Sequence, residues 1–95
     1  MAERMIKLSI GRGETCDIRV DDQYASPLHA TLTLYEDGRM LVRDEGSTNG
    51  TRIVGERERV YGPRTVGRHD RLLIGRTILA VADLVAAAAR MVPRG

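Results

Sequence analysis

Residues 31–42 read TLTLYEDGRMLV, and this stretch indicates the fold class. Polar and apolar side chains alternate over residues 31–35, as they do in a strand that buries one of its two faces. The dipeptide Asp37-Gly38 follows, which is typical of a tight hairpin turn, and residues 40–42 return as an apolar second strand. The stretch therefore predicts an antiparallel β-hairpin.

The same pattern continues on both sides of this hairpin. Short runs rich in Val, Ile, Leu and Thr are separated by Gly, Pro, Asp and Asn, the residues that form turns. Many short strands at such spacing predict an all-β fold, either a sandwich or a barrel. The further predicted strands are residues 6–10, 18–20, 51–54, 60–66 with a break at Gly62-Pro63, 72–74 and 78–81.

The C-terminal residues have a different character. Residues 84–91 read LVAAAARM and have high helix propensity, but so short a segment is marginal as an isolated helix. It is predicted to be either a docked helix or a disordered tail. The closing residues MVPRG, 91–95, resemble a protease-site remnant of an expression tag. We therefore expect a lead-in at 1–5, one domain at 6–83 and a helical or disordered tail at 84–95.

Composition narrows the function classes. The 95 residues include 15 basic and 13 acidic side chains, a net charge of +2, and the arginines are scattered along the chain. With no Phe or Trp and three Tyr, the core must be aliphatic, and few rings are available to stack on bases. Nucleic acid is therefore not an expected partner.

The cysteine and histidine counts and the hydropathy pattern further restrict the possible function classes. One cysteine, Cys16, and two histidines provide neither a disulfide nor a metal cluster, so we expect no metal site and no cofactor. The N-terminal residues have no apolar h-region, so we expect no secretory signal, and no apolar run approaches the ~20 residues of a membrane span. We expect a cytoplasmic protein that does not contact a membrane.

Three polar clusters lie at the ends of predicted strands. Gly11-Arg12 follows the first strand, and arginine has a planar fork of donors suited to phosphate, although alone a solvated arginine is the simpler interpretation. Residues 26–29, Ser-Pro-Leu-His, contain a hydroxyl and an imidazole three positions apart. Residues 46–51, GSTNGT, have small side chains that either stabilise a tight turn or bind a peptide backbone.

The second cluster raises an enzyme as an alternative. Ser26 as nucleophile with His29 as base would also need an orienting carboxylate and an oxyanion hole. No G-x-S-x-G nucleophile elbow is present in the sequence. We therefore expect a binding protein rather than an enzyme, in which His29 holds its loop through hydrogen bonds.

Taken together, the clusters and their flanking strands resemble a forkhead-associated (FHA) domain over about residues 6–82. The resemblance implies a twisted two-sheet β-sandwich of mostly antiparallel strands, whose loops at one end bind phosphothreonine peptides. The matching segments are IGR at 10–12, CDIRV at 16–20, SPLHA at 26–30, DEGSTNGT at 44–51, LLIG at 72–75 and ILAV at 78–81.

The resemblance implies roles for individual residues. Arg12 would pair with the phosphate, Ser26 would hydrogen-bond to it, and Thr48 would add a hydroxyl and line the hole for the threonine methyl group. Pro27 departs from the family pattern, in which a polar residue often follows the serine. The implied peptide-binding residues are Asn49, Ser47, Tyr24 and Arg76, and the implied structural residues are Gly11, His29 and Gly50.

The implied partner is a phosphothreonine-containing protein, either a Ser/Thr kinase or a kinase substrate, which the domain would recruit. Arg76 is predicted to favour an acidic residue at the third position after the phosphothreonine. The alternative is a phosphate-independent interaction or oligomerisation domain of the same fold, to which Pro27 gives weight. Free sheet edges leave both a monomer and a weak homo-oligomer open.

Overall fold

Nine short strands and one helix make up the part of the chain that the computed structural model describes, residues 4–91. Turns separate the strands, as the sequence pattern predicted. In chain order, the elements are β1 Met5–Gly11, β2 Ile18–Arg19, β3 Ala30–Tyr35, β4 Met40–Asp44, β5 Thr51–Ile53, β6 Arg59–Val60, β7 Arg64–Thr65, β8 Arg71–Ile74, β9 Thr77–Ala80 and α1 Val81–Met91.

The strands form two sheets, in the orders β2-β1-β3-β4-β7 and β6-β5-β8-β9. Only β1 and β2 pair in parallel among the described strands. The predicted hairpin is β3–β4, with Leu32 opposite Val42 and Gly38 at φ 95° in its turn. The prediction of an all-β fold with two sheets of mostly antiparallel strands is confirmed.

One aliphatic core joins the two sheets. Leu8, Leu32 and Val42 enter it from the five-stranded sheet, and Leu72 and Ile74 enter it from the four-stranded sheet. Successive side chains of a strand face opposite sides, so alternate residues of each strand reach this core. Burying each of these side chains stabilises the fold by about 1.5–3 kcal/mol relative to leaving it in water.

The C-terminal segment is a helix that packs against this core. Helix α1 begins at Val81 rather than at residue 84, and it buries Val81, Leu84 and Ala88. These residues are three and four positions apart and so lie on one face of the helix. The predicted division between 83 and 84 falls inside α1. The ends of the chain, 1–3 and 92–95, lie outside the described residues, and so does most of the MVPRG sequence.

The break predicted at Gly62-Pro63 is the point where the chain changes sheets. Strand β6 pairs with β5 in the four-stranded sheet, whereas β7 pairs with β4 in the five-stranded sheet. Proline cannot donate to a strand ladder, so a continuous strand through residue 63 is disfavoured. Among the described residues, no helix combines the length and the apolar character that crossing a membrane requires.

Candidate functional site

Three loops meet at one end of the sandwich because of the strand register. Ala30, the first residue of β3, lies opposite Ile10 near the end of β1 and opposite Asp44 at the end of β4. Loops that leave these strand ends are therefore neighbours. We call residues 12–17 the first loop, 20–29 the second loop and 45–50 the third loop, and their meeting edge is the rim.

Arg12 is held where the first and second loops meet. Its backbone N–H donates to the Ser26 carbonyl at 3.0 Å, and its Nε–H donates to the Ala25 carbonyl at 3.0 Å. The side chain is exposed, and no other group within residues 4–91 binds its guanidinium. Its terminal nitrogens can therefore form the paired hydrogen bonds that a guanidinium makes with an oxyanion. The exposed Arg19 donates from Nε to the Arg12 carbonyl at 3.4 Å and places a second cation beside it.

Thr48 and Asn49 join the third loop to the second. The Thr48 N–H donates to Ser26 Oγ at 3.1 Å, and Asn49 Nδ2 donates to the Tyr24 carbonyl at 2.8 Å. Thr48 and Asn49 are both exposed at this edge. The structure thus brings Arg12, Ser26 and Asn49 to one rim, although they come from three separate parts of the chain.

The close approach of the first two loops requires glycine at position 11. A Cβ at Gly11 would lie 2.8 Å from the Ser26 carbonyl oxygen and closer still to that of Pro27, distances that real Cβ atoms do not adopt. The Pro27 carbonyl also accepts hydrogen bonds from the Gly13 N–H at 3.0 Å and the Cys16 thiol at 3.0 Å. Pro27 therefore ties the loops together through its carbonyl, although it has no N–H.

His29 is fully buried between the second and third loops. The Ser26 N–H donates to His29 Nδ1 at 3.0 Å, so Nδ1 carries no proton. His29 Nε2 lies 2.8 Å from the Gly50 carbonyl, an acceptor, so Nε2 is the protonated nitrogen. Because Nδ1 binds the Ser26 backbone rather than its hydroxyl, the nucleophile–base pair weighed from the sequence does not form. Gly50 itself has φ 84°, a conformation that favours glycine.

Asp44 organises the third loop, and sequence analysis did not identify it. Its carboxylate accepts from the N–H groups of Gly46 and Ser47 at 3.0 Å, and from the hydroxyls of Ser47 at 2.5 Å and Thr51 at 2.9 Å. Burial alone would raise the pKa of Asp44, but these hydrogen bonds outweigh it and lower the pKa. The Ser47 hydroxyl also accepts from the Gly50 N–H at 2.9 Å. Ser47 is buried below the rim, so we assign it to shaping the loop rather than to peptide contact.

Asp22 attaches the β8–β9 turn to the second loop. Its carboxylate accepts hydrogen bonds at 2.8 Å from the Thr77 hydroxyl, the Tyr24 N–H and the Arg76 N–H. These bonds, that from Thr77 foremost, lower the pKa of Asp22. The Arg76 guanidinium carbon lies 4.0 Å from the centroid of the Tyr24 ring, within cation–π range. Tyr24 and Arg76 are therefore stacked beside the rim.

The fold is thus a β-sandwich whose joined loops place a cation, hydroxyls and an amide along one edge. The family model of the FHA domain matches residues 8–75, which is most of the chain. The chain therefore belongs to the FHA domain family. The FHA domain is a binding module rather than a catalytic fold.

Solved structures of similar fold are FHA domains. The FHA-2 domain of the Mycobacterium tuberculosis ABC transporter Rv1747 is 32% identical with a TM-score of 0.63, covering 78% of this chain and 65% of that one. The FhaA FHA domain, complexed with the intracellular domain of Rv3910, is 23% identical with a TM-score of 0.68, covering 82% and 81%. An FHA domain studied for phosphothreonine-dependent interactions is 23% identical with a TM-score of 0.68, covering 81% and 76%. A comparison with curated proteins finds no match to the chain.

Proposed function

We propose that this protein binds phosphothreonine peptides at the rim and thereby recruits phosphorylated partner proteins. The observation that carries the proposal is the convergence of Arg12, Ser26 and Asn49 from three loops that hydrogen-bond to one another. A phosphate monoester carries about −1.5 to −2 charges near neutral pH, which a guanidinium with neighbouring hydroxyls can bind. The similar FHA domain studied for phosphothreonine-dependent interactions supports this assignment.

The hydrogen bonds already formed determine which atoms remain for the ligand. Ser26 Oγ accepts from the Thr48 N–H, so its own hydroxyl hydrogen is available to a phosphate oxygen. Asn49 uses one Nδ2–H for the Tyr24 carbonyl, which leaves the other N–H and Oδ1 for a peptide backbone. Thr48 contributes its exposed hydroxyl and its methyl group, which lines the hole for the threonine methyl.

Arg19 takes the place of the phosphate contact that Pro27 does not supply. Its side chain is exposed and its Nε lies 3.4 Å from the Arg12 carbonyl, so a second guanidinium is tethered beside the first. We expect Arg19→Gln to lower affinity for a phosphothreonine peptide several-fold, as the loss of an exposed ion pair does. Arg68→Gln, an exposed change on the β7–β8 turn, is the matched control.

Arg76 selects the third residue after the phosphothreonine. Asp22 holds the backbone of Arg76 against the second loop, and the guanidinium lies over Tyr24. A cation at this position attracts a carboxylate. An array of phosphothreonine peptides should therefore favour Asp or Glu at that position, and the preference should disappear in Arg76→Ala. An array without an acidic preference in the wild type contradicts this role.

Substitution of the rim residues tests the proposal. Arg12→Ala should abolish detectable phosphopeptide binding, and Asn49→Ala should weaken it strongly, while circular dichroism shows both variants folded. Arg68→Ala should bind as the wild type does. Normal binding by a folded Arg12→Ala protein would show that the rim is not the phosphate site.

The partner in this proposal is a Ser/Thr kinase or one of its substrates, because phosphothreonine is the product of such a kinase. The second candidate is a phosphate-independent interaction domain of the same fold. Pro27 favours it, because this residue removes both a side-chain donor and a backbone N–H from the rim. Equal binding of phosphorylated and unphosphorylated forms of one peptide would support this second candidate.

A further inference from the structure

A row of four residues crosses the outer face of the four-stranded sheet. The row contains one residue from each strand: Arg59 of β6, Arg52 of β5, Leu73 of β8 and Ile78 of β9. Each residue lies directly opposite the next across the sheet. The next residue of β5, Thr51 toward the rim, is buried in the core, so the row faces away from the core. We call these four residues the outer row.

The outer row is continuous with the rim. Thr51 and Ile74 pair directly above it, and the third loop and the β8–β9 turn follow immediately. The Arg59 side chain reaches the third loop, since a Cβ on Gly50 would lie 2.7 Å from the Arg59 guanidinium carbon. A peptide that extends past the rim loops on this side of the sandwich would therefore meet the outer row.

The two arginines of the outer row have no counter-ion among the described residues. They lie directly opposite each other on antiparallel strands, where like charges repel. Within residues 4–91 neither forms an ion pair: Arg52 donates to the Arg57 carbonyl at 2.8 Å, and the Arg59 guanidinium lies 5.3 Å from the Tyr61 ring centroid. Arg59 Nε is buried without a hydrogen-bond partner. An acidic group of a ligand would pair with the terminal nitrogens of the two guanidinium groups.

Neighbouring carboxylates do not neutralise this pair. Glu56 forms an ion pair with Arg64, across the turn from the outer row. Glu58 forms no ion pair in the part of the chain that the structure describes. The charge of the row is therefore available to a partner.

The other half of the outer row is apolar and open to solvent. Ile78 is 53% exposed although it lies within a strand, and Leu73 beside it is only half-buried. Together the two halves present positive charge on one side and aliphatic surface on the other. This combination fits a segment that carries carboxylates followed or preceded by an apolar side chain.

We infer that the outer row is a second contact surface, which binds an extended acidic segment with one apolar residue, flanking the phosphothreonine of the same partner. This inference rests on the proposed function of the rim. Strands lie about 4.8 Å apart, so the row spans about 14 Å, which an extended chain crosses in about four residues. The carboxylates of the segment pair with Arg52 and Arg59, and its apolar residue covers Leu73 and Ile78.

Extended phosphopeptides test the inference. A short phosphothreonine core peptide is compared with versions extended by Asp-Glu-Asp-Leu at either end, and with matched Asn-Gln-Asn-Leu versions. In calorimetric titrations at low salt, one of the two acidic extensions should tighten binding roughly fivefold over its neutral counterpart, the size expected for two exposed ion pairs. The gain should shrink as salt increases, because added ions screen exposed charges.

Variants locate the gain on the outer row. The double change Arg52→Gln and Arg59→Gln should remove the gain. Arg52→Gln alone should remove about half of the gain and leave binding of the core peptide unchanged, because the Arg52 guanidinium donates to the Arg57 carbonyl, outside the rim loops. The matched control, Lys7→Gln with Arg43→Gln, removes two exposed cations from the other sheet and should retain the gain.

The outcomes separate the two proposals. If the core peptide binds but neither acidic extension tightens it, or if the double variant retains the whole gain, the outer row is not a contact surface. If the core peptide itself does not bind the wild type, the proposed function fails, and the inference about the outer row fails with it.

Discussion

Replacing Gly11 by alanine tests whether contact between the first and second loops forms the rim. A Cβ at position 11 would meet the carbonyl oxygens of Ser26 and Pro27, and these are backbone atoms that cannot turn aside. Relieving the contact separates the loops and breaks two hydrogen bonds, from the Arg12 N–H and the Gly13 N–H. Losing the two bonds costs about 2 kcal/mol, and residual overpacking adds about 1 kcal/mol or more. We therefore expect Gly11→Ala to destabilise the fold by about 3 kcal/mol.

Urea unfolding followed by circular dichroism measures this change, with Gly62→Ala as the matched control. No atom lies within 4 Å of a Cβ at Gly62, so that variant should be within about 0.5 kcal/mol of the wild type or slightly more stable. Gly11→Ala should also weaken phosphopeptide binding, because Arg12 follows position 11 directly. A Gly11→Ala protein as stable as Gly62→Ala would refute the close approach of the loops.

Three further predictions concern acidic residues and the helix. Asp44→Asn should destabilise the fold by about 1 kcal/mol at neutral pH, a value kept low because solvent screens this carboxylate. Folding lowers the pKa of Asp44, so the stability that its carboxylate contributes is present above the unfolded pKa of about 3.9 and is lost as pH falls through the folded value. The urea midpoints of the variant and the wild type should therefore converge in acid. A difference in midpoints that stays constant with pH contradicts this prediction. Leu84→Ala should cost about 2–3 kcal/mol in the same urea assay, and no loss would mean that α1 does not dock. Asp22 accepts a hydrogen bond from the Arg76 N–H, so Asp22→Ala should abolish the acidic preference attributed to Arg76 on a peptide array, while binding stays phosphothreonine-dependent. An unchanged preference would show that Asp22 does not position Arg76.

The hairpin and the all-β class could be predicted because their signals are local, whereas the choice of a two-sheet sandwich over a barrel came from the resemblance to FHA domains. Alternation over residues 31–35 and the turn at Asp37-Gly38 depend on near neighbours, and the structure pairs β3 with β4 there. The meeting of the loops at one end was implied by the resemblance to FHA domains, which rested on all the motifs together rather than on any one of them. Gly62-Pro63 indicated a break between strands, because the properties of proline are independent of tertiary context, but only the structure shows that the chain changes sheets there.

Contacts between distant residues were not predictable from local pattern. Asp22 binds Thr77, 55 positions away, and nothing near Asp22 in the sequence indicates that partner. The inward direction of the Ser47 hydroxyl depends on the Asp44 carboxylate, which only the folded loop places beside it. The start of α1 was also missed, because Val81 continues an apolar run that suits a strand as well as a helix.

Titration with three forms of one peptide tests the central claim most directly. Phosphothreonine, phosphoserine and unmodified threonine versions are titrated into the wild-type protein by calorimetry at a single salt concentration. The proposed phosphate contact of the Arg12 guanidinium and the proposed methyl contact of Thr48 together predict tightest binding of the phosphothreonine form. The phosphoserine form should bind roughly fivefold or more weakly, since one buried methyl contributes about 1 kcal/mol, and the unmodified form should not bind measurably. Equal affinity for all three forms would contradict the account.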